Sequence, residues 1–234
     1  MNITVINPNS TASMTAKIAT VAEAVASPGT IICATHADDS PASIEGYYDE
    51  ALSLAPLLRT IAAYPESDAF IIACFDDTGL DAARCLTDKP VIGIGEAAYH
   101  MATFVANKFS VITTLERSIP ALEYNLHRYG LAARCVRVRA AEVPVLELEK
   151  SALDTRQRIQ AEIEVALETD RAEAIVLGCA GMADLADTLS ADYGVPVLDG
   201  VRCAVSLAES LVRVGLKTSK VIGYAAPVKV KASS

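Results

Sequence analysis

The chain has 234 residues, 52% of them hydrophobic, and a formal net charge of -9. This length allows one large domain or two of about 100 residues each. The negative charge argues against nucleic acid or an anionic membrane as a partner, and no window approaches the ~18 to 20 uninterrupted apolar residues of a membrane helix.

The first half of the chain is predicted to alternate strands and helices. A strand over 3–6 and the turn Asn7-Pro8-Asn9-Ser10 lead into a helix that ends near residue 25, and we expect Ser10 or Thr11 to cap it. A strand over 30–34, a polar loop over 36–46 and a helix around 54–61 follow, and Pro56 suggests that this helix starts late. The strand that ends at Cys74, a helix over 78–86 and a strand over 91–94 complete the half.

The same order of elements then starts again. We predict a strand over 109–114, a helix to about residue 129, a strand over 135–139, a helix over 154–169, the strand that ends at Cys179, a helix over 182–189, a strand over 195–198 and a helix over 200–214. Asn7 precedes Cys74 by 67 residues and Thr113 precedes Cys179 by 66, which supports an internal duplication. Similar loop lengths in two unrelated halves are the alternative.

The pattern therefore predicts an α/β fold with two pseudo-symmetric Rossmann-like lobes, each with a mainly parallel sheet flanked by helices. We expect an N-terminal lobe of residues 1–96 plus 207–234, and a second lobe of residues 97–206. The active site is then expected in the cleft between the lobes.

Each half places a cysteine directly after a strand that is apolar on both faces, as buried parallel strands are. Ligands of open α/β sheets bind at the carboxyl ends of the strands. The N-terminus of the following helix is expected to lower the pKa of the thiol. Cys74 and Cys179 are therefore candidate proton-transfer groups, while structural packing is the alternative for either one taken alone.

The remaining cysteines and the histidines point to no metal site. Six cysteines without a C-x-x-C pair favour free thiols in a reducing cytoplasm, and the chain opens without a sign of a signal peptide. The three histidines lie far apart, so no ligand spacing is visible. Four cysteines fall within strand or helix patterns and are interpreted as buried residues outside the site: Cys33, Cys85, Cys135 and Cys203. Several helices show few charges, from which we expect a homo-oligomer.

Five short motifs resemble the aspartate/glutamate/hydantoin racemase superfamily, and within it the hydantoin racemases. They are Asn7-Pro8-Asn9, Cys74-Phe75-Asp76-Asp77-Thr78-Gly79, Thr113-Thr114, Gly178-Cys179-Ala180-Gly181-Met182 and Asp199-Gly200-Val201. The resemblance covers nearly the whole chain. It implies an isomerase that needs no cofactor and racemises 5-monosubstituted hydantoins, with Cys74 and Cys179 as its catalytic pair.

The chain departs from the amino-acid racemases of that superfamily, which usually carry Asn-Thr or Thr-His after their cysteines. Here Phe75-Asp76 and Ala180-Gly181 occupy those positions. Acidic side chains beside the site would repel an amino-acid carboxylate, so a neutral cyclic ureide fits better as the substrate. Asp76 and Asp77 are also well placed to cap the helix over 78–86.

Removal of the C5 proton of a hydantoin gives an enolate that backbone N–H groups can stabilise. The candidate substrate-binding residues are Asn7, Asn9, Ile44, Phe75, Asp76, Thr113, Thr114, Ala180 and Gly181, with Tyr47 as a further candidate for the pocket of the 5-substituent. Capping and turn formation are the alternative roles of the asparagines and threonines.

Three other functions stay open at this point. Allantoin racemases share the Gly-Cys-Ala-Gly-Met element, and their substrate carries a polar ureido group. A related decarboxylase or isomerase with one working cysteine is disfavoured because both cysteines are present. A non-catalytic two-lobe binding protein would use the same cleft.

Overall fold

Eight strands form two four-stranded sheets in the computed structural model, which describes residues 1–149 and 152–227. All eight strands were predicted from the sequence. They are β1 (Asn2–Asn7), β2 (Ile31–His36), β3 (Ala69–Ile72), β4 (Val91–Gly93), β5 (Phe109–Thr113), β6 (Cys135–Ala140), β7 (Ala174–Leu177) and β8 (Val197–Asp199).

Eight α-helices connect or flank the strands of the described chain. They are α1 (Ala12–Val25), α2 (Tyr47–Ala62), α3 (Leu80–Leu86), α4 (Ile94–Val105), α5 (Ile119–Arg128), α6 (Ala152–Glu168), α7 (Ala186–Tyr193) and α8 (Gly200–Arg213). Short 3-10 helices cover Glu116–Ser118, Val145–Glu149, Ala180–Leu185 and Ile222–Tyr224. No helix of the described residues is long and apolar enough to cross a membrane.

The two sheets have the same topology. Their strand orders are β2-β1-β3-β4 and β6-β5-β7-β8, and every neighbouring pair is parallel. Every residue of β3 and β7 is buried, as expected for central parallel strands covered by helices on both faces. The predicted α/β class with two similar parallel sheets is therefore confirmed, and the repeated topology supports an internal duplication.

Two helices cross from one half of the chain to the other. The helix α4, which follows the first sheet, packs on β7 and β8, while α8 follows the second sheet and packs on β3 and β4. The two helices also pack on each other, and the largest core cluster contains residues of both halves. The lobe boundaries expected after residues 96 and 206 fall within α4 and α8 and stay a prediction. Residues 228–234, which were assigned to the first lobe, lie outside the described part.

The sequence pattern did not predict α4. This helix is buried along most of its length and ends in exposed Phe104 and Val105. Glu96, His100 and Thr103 form a polar stripe at helical spacing, so a signal for this helix was present in the sequence and was not used.

Three helix starts were wrong. The helix α2 begins at Tyr47 and contains Pro56, because packing of its buried face outweighs one missing backbone donor. The helix α3 begins at Leu80 after a left-handed Gly79, rather than at residue 78. A 3-10 helix precedes α7, which itself begins at Ala186 rather than at residue 182.

The capping predictions also needed correction. Thr11 occupies the N-cap position of α1, but its hydroxyl donates to the Ala42 carbonyl at 2.6 Å and makes no cap hydrogen bond. The carboxylate of Asp77 caps α4 instead of α3. It accepts from the backbone N–H of Gly95 at 2.9 Å and from that of Glu96 at 2.8 Å.

Candidate active site

The carboxyl ends of the central strands of both sheets meet at one small cavity that opens to solvent. Asn7 ends β1 and Thr113 ends β5, while Cys74 and Cys179 follow β3 and β7. The two cysteines thus reach the cavity from equivalent positions in the two halves. This is the arrangement that strand order and spacing lead one to expect at the edge of two parallel sheets.

Ten of the eleven predicted site residues line this cavity. They are Asn7, Asn9, Ile44, Cys74, Phe75, Asp76, Thr113, Thr114, Cys179 and Ala180. Gly181 does not line it but lies next to the thiol, because a Cβ atom built on this glycine would be 3.6 Å from the Cys179 sulfur. Tyr47 is exposed and lines a neighbouring cavity, which shares Asp76 with the first.

Six lining residues were not predicted: Pro8, Met14, Ala73, Ser118, Val145 and Gly178. Pro8, Ala73 and Gly178 are chain neighbours of predicted residues, so sequence proximity could have found them. Ser118 and Val145 come from 3-10 helices in regions without a motif, and no local signal points to them. None of the four cysteines interpreted as outside the site lines the cavity, although only Cys203 among them is fully buried.

The Cys74 thiol accepts a hydrogen bond from the Thr78 hydroxyl at 3.5 Å and one from the backbone N–H of Asp76. Burial and the nearby Asp76 carboxylate nevertheless raise the pKa of Cys74 well above its ordinary value. Cys74 is therefore protonated at neutral pH in the free enzyme.

The Cys179 thiol accepts a hydrogen bond from the backbone N–H of Gly181. Burial raises the pKa of Cys179 to about 11, and Lys17 opposes the rise while Asp76 and Glu45 add to it. The expectation that helix N-termini lower both thiol pKa values was wrong. The helix after Cys74 begins only at Leu80, and a 3-10 helix rather than an α-helix follows Cys179.

The two asparagines of the first turn bind each other. The amide nitrogen of Asn7 donates to Asn9 Oδ1 at 2.7 Å and to the Thr15 hydroxyl at 3.0 Å. Asn9 Oδ1 also accepts from the backbone N–H of Thr11 at 2.9 Å. Both side chains line the cavity and shape the turn at the same time, so the turn role is observed and the substrate role stays a prediction.

Threonine and aspartate side chains complete the polar lining. The Thr113 hydroxyl donates to the Gly178 carbonyl at 3.2 Å and so ties the ends of β5 and β7 together. Asp76 is half-buried, and burial, Glu50 and Asp77 raise its pKa to about 7. Asp77 does not line the cavity, in agreement with its role as a cap.

The sequence of this chain matches a known protein family over most of its length. The model of the Asp/Glu/Hydantoin racemase family matches residues 3–208. The chain belongs to this family. The racemase is thus an isomerase, as the sequence predicted.

The proteins similar to this racemase are named after two different substrates, hydantoin and allantoin. It is 48% identical to a hydantoin racemase of Rhizobium meliloti, over 100% of this chain and 98% of the relative. A hydantoin racemase of Pseudomonas sp. (strain NS671) is 45% identical over 98% and 93% of the two chains. The solved structure of an allantoin racemase from Klebsiella pneumoniae superimposes with a TM-score of 0.97 and is 46% identical, covering 100% of this chain and 96% of that one.

No group of three or more histidine, cysteine, aspartate or glutamate side chains in residues 1–149 and 152–227 could hold a metal ion. The cavity instead offers two thiols, hydroxyl and amide groups, and one carboxyl group. These groups can transfer protons and hold a polar ring.

Proposed function

We propose that this racemase inverts C5 of 5-monosubstituted hydantoins without a cofactor, with Cys74 and Cys179 as its two bases. The observation that carries the proposal is the position of the two thiols, which reach one cavity from equivalent strand ends of two similar sheets. Such thiols can approach C5 of one bound ring from its two faces.

The reaction needs one thiolate and one thiol. The thiolate removes the C5 proton, and the electron pair moves onto the adjacent carbonyl oxygen as an enolate. The other thiol then gives its proton to the opposite face of C5, and proton exchange with solvent restores the starting state. Hydroxyl groups of Thr113, Thr114 and Ser118 line the same cavity and are available to hydrogen-bond the ring.

The raised thiol pKa values predict a pH dependence for this reaction. Burial raises the pKa of both cysteines, so the fraction of enzyme with one thiolate grows as the pH increases above neutrality. We therefore expect kcat/KM to rise with pH over the range in which the protein stays folded.

The cavity lining is mixed, and we propose that its apolar part receives an apolar 5-substituent. Met14, Ile44, Phe75 and Val145 supply apolar surface to the cavity. Allantoin is the second candidate substrate, because the allantoin racemase structure is as similar to this chain as the named hydantoin racemases are. A comparison of kcat/KM for 5-benzylhydantoin and allantoin decides between them, and a preference for allantoin would contradict the apolar-substituent part of the proposal.

The two-base mechanism is tested with Cys74→Ser and Cys179→Ser. Both variants should lose racemisation, because a serine hydroxyl at its ordinary pKa is far too weak a base. In deuterium oxide each variant should still exchange the C5 hydrogen of the one enantiomer that faces its intact thiol, and the two variants should prefer opposite enantiomers. The measurement is proton NMR of each pure enantiomer, corrected for spontaneous exchange, with Cys203→Ser as the control outside the cavity.

Two results would contradict the mechanism. One is racemisation at the wild-type rate by either variant, and the other is exchange of the same enantiomer by both. Activity that is lost on treatment with a chelator and restored by a divalent ion would contradict the cofactor-free part of the proposal.

We also propose a cellular location and an oligomeric state for the enzyme. All six cysteines are free thiols, which favours a cytoplasmic enzyme. Large apolar side chains such as Phe104 and Ile222 are exposed, which favours a homo-oligomer.

A further inference from the structure

The segment directly after each site cysteine accepts a hydrogen bond from a side chain in the opposite half of the chain. Lys17 on α1 donates from Nζ to the Gly181 carbonyl at 2.6 Å. Asn125 on α5 donates from Nδ2 to the Asp76 carbonyl at 2.8 Å. In both cases the helix follows the first strand of its own half, and the accepting carbonyl lies two residues after the cysteine of the other half.

The residues that accept these bonds also contact the thiols. The backbone N–H of Gly181 donates to the Cys179 sulfur, and that of Asp76 donates to the Cys74 sulfur. The carbonyl and the N–H of one residue belong to neighbouring peptide planes that meet at its Cα atom. A side chain that anchors the carbonyl therefore restrains the position of the residue, and with it the N–H group that donates to the sulfur. The effect matters most at Gly181, because a glycine has more backbone freedom to lose than any other residue.

The two contacts differ in charge. Lys17 carries a positive charge, is one-quarter exposed and forms an ion pair with Asp184 at 2.8 Å. Asn125 is neutral and buried. The charged or ionisable groups acting on Cys179 are Asp76, Lys17 and Glu45, whereas those acting on Cys74 are Asp76 and Cys179.

We propose that Lys17 and Asn125 are a matched pair of positioning residues, and that the charge of Lys17 makes Cys179, rather than Cys74, the thiol that loses its proton first. This inference rests on the proposed two-thiol mechanism. The symmetric contacts hold both thiols in place, and the asymmetric charge gives the pair one thiolate and one thiol. The enantiomer whose C5 proton faces Cys179 then meets the thiolate directly, whereas the opposite enantiomer reacts only after the proton of Cys74 has moved to Cys179 through solvent.

The order of ionisation is measured by alkylation, because the thiolate is the form that reacts with iodoacetamide. The protein is treated for short times across a range of pH, and mass spectrometry quantifies the modified peptides of Cys74 and Cys179 separately. In the wild-type protein we expect Cys179 to react at lower pH than Cys74. The pH profile separates ionisation from access, because a difference in access alone changes the rate but not the pH at which it rises.

Lys17→Met should slow the alkylation of Cys179 about tenfold at a fixed pH and move its profile to higher pH, while Cys74 reacts as before. Lys17→Arg keeps the charge and should restore most of the rate. Asn125→Leu should change the profile of Cys74 and leave that of Cys179 unchanged. The control is Lys108→Met, because Lys108 also donates to a backbone carbonyl, that of Ala133 at 2.5 Å, but lies outside the cavity.

A further variant keeps the inference testable if Lys17→Met folds poorly. Asp184→Asn removes the carboxylate that partly neutralises Lys17, and Cys179 should then react at lower pH than in the wild type. An unchanged Cys179 profile in both Lys17→Met and Asp184→Asn overturns the proposed role of Lys17, as does earlier reaction of Cys74 in the wild type. Equal slowing of both thiols by Lys17→Met would show a general structural role instead.

These results are independent of racemisation. Alkylation requires no turnover, so the order of ionisation can be established even if Cys74→Ser or Cys179→Ser contradicts the two-base mechanism. Conversely, the exchange experiment with the cysteine variants can succeed while the role of Lys17 fails.

Discussion

The first turns of α4 and α8 touch at backbone level, and this contact makes a sharp prediction for Gly200→Ala. A Cβ atom on Gly200 would lie 2.4 Å from the Ile94 carbonyl oxygen and 2.9 Å from Ile94 Cβ. Because the obstacle is backbone, no rotation of a side chain relieves the clash, and the two helices must move apart by about 1 Å to reach ordinary contact. Overpacking of this kind costs about 1–3 kcal/mol, and the gain of about 1 kcal/mol from replacing a helical glycine offsets only part of that range.

We therefore expect Gly200→Ala to lower the free energy of unfolding by up to about 2 kcal/mol. The effect on catalysis should be larger. Both helices pack on the strands that lead to Cys74 and Cys179, and a shift of about 1 Å in a reacting group can cost on the order of 100-fold in rate.

The assay is urea denaturation followed by circular dichroism, together with kcat/KM for racemisation. Gly223→Ala is the matched control, since a Cβ atom there meets nothing within 4 Å, and its stability should stay within about 0.5 kcal/mol of the wild type. Wild-type stability and activity in Gly200→Ala would refute the close approach of the two helices.

Two further predictions concern carboxyl groups. Glu209 is buried and accepts hydrogen bonds from the backbone N–H and hydroxyl of Ser27, at 2.8 and 2.6 Å, and from the Thr30 hydroxyl at 2.5 Å. Glu209→Ala should therefore lower the free energy of unfolding, measured by urea denaturation at neutral pH, by about 2–3 kcal/mol. Burial alone would raise the pKa of Glu209, but these hydrogen bonds lower it below its ordinary 4.5. The difference in stability between the wild type and Glu209→Ala should therefore be present above about pH 4.5, the ordinary pKa, and disappear as the pH falls further. A stability difference that persists in strong acid would contradict this prediction. Asp76→Asn removes a carboxylate that raises the pKa of both site thiols. Because the pKa of Asp76 is about 7, both thiols of the variant should be alkylated severalfold faster than in the wild type above that pH, and at the wild-type rate below pH 7. A rate difference that is independent of pH would mean that Asp76 acts on access rather than on charge.

Local sequence was sufficient for the order of the strands and for the position of both cysteines. Apolar runs that are buried on both faces predict parallel strands, and the chain places Cys74 and Cys179 directly after two of them. Because parallel strands of one sheet end at the same edge, neighbouring strand ends such as Asn7 and Thr113 could be assigned to the site as well. These features depend on side-chain pattern and chain direction, both of which are written in the sequence.

Contacts between the halves could be found only in the tertiary structure. Glu96, His100 and Thr103 mark α4 as a helix by their spacing, but nothing in the sequence shows that it packs on the sheet of the other half. Asp77 lies beside α3 in the chain but caps α4, since the fold brings the N–H groups of Gly95 and Glu96 to its carboxylate.

The thiols show the same limit most clearly. Helix N-termini were expected to lower the pKa values of both thiols, but burial raises them, and burial depends on how the two halves of the chain pack around one cavity. The bond from Lys17 to Gly181 joins residues 164 positions apart, and the bond from Asn125 to Asp76 joins residues 49 positions apart. Sequence alone determined which residues reach the strand ends. The packing of one half on the other decided the electrostatic surroundings of the two cysteines, because Coulomb interactions and desolvation depend on distance in space and not along the chain.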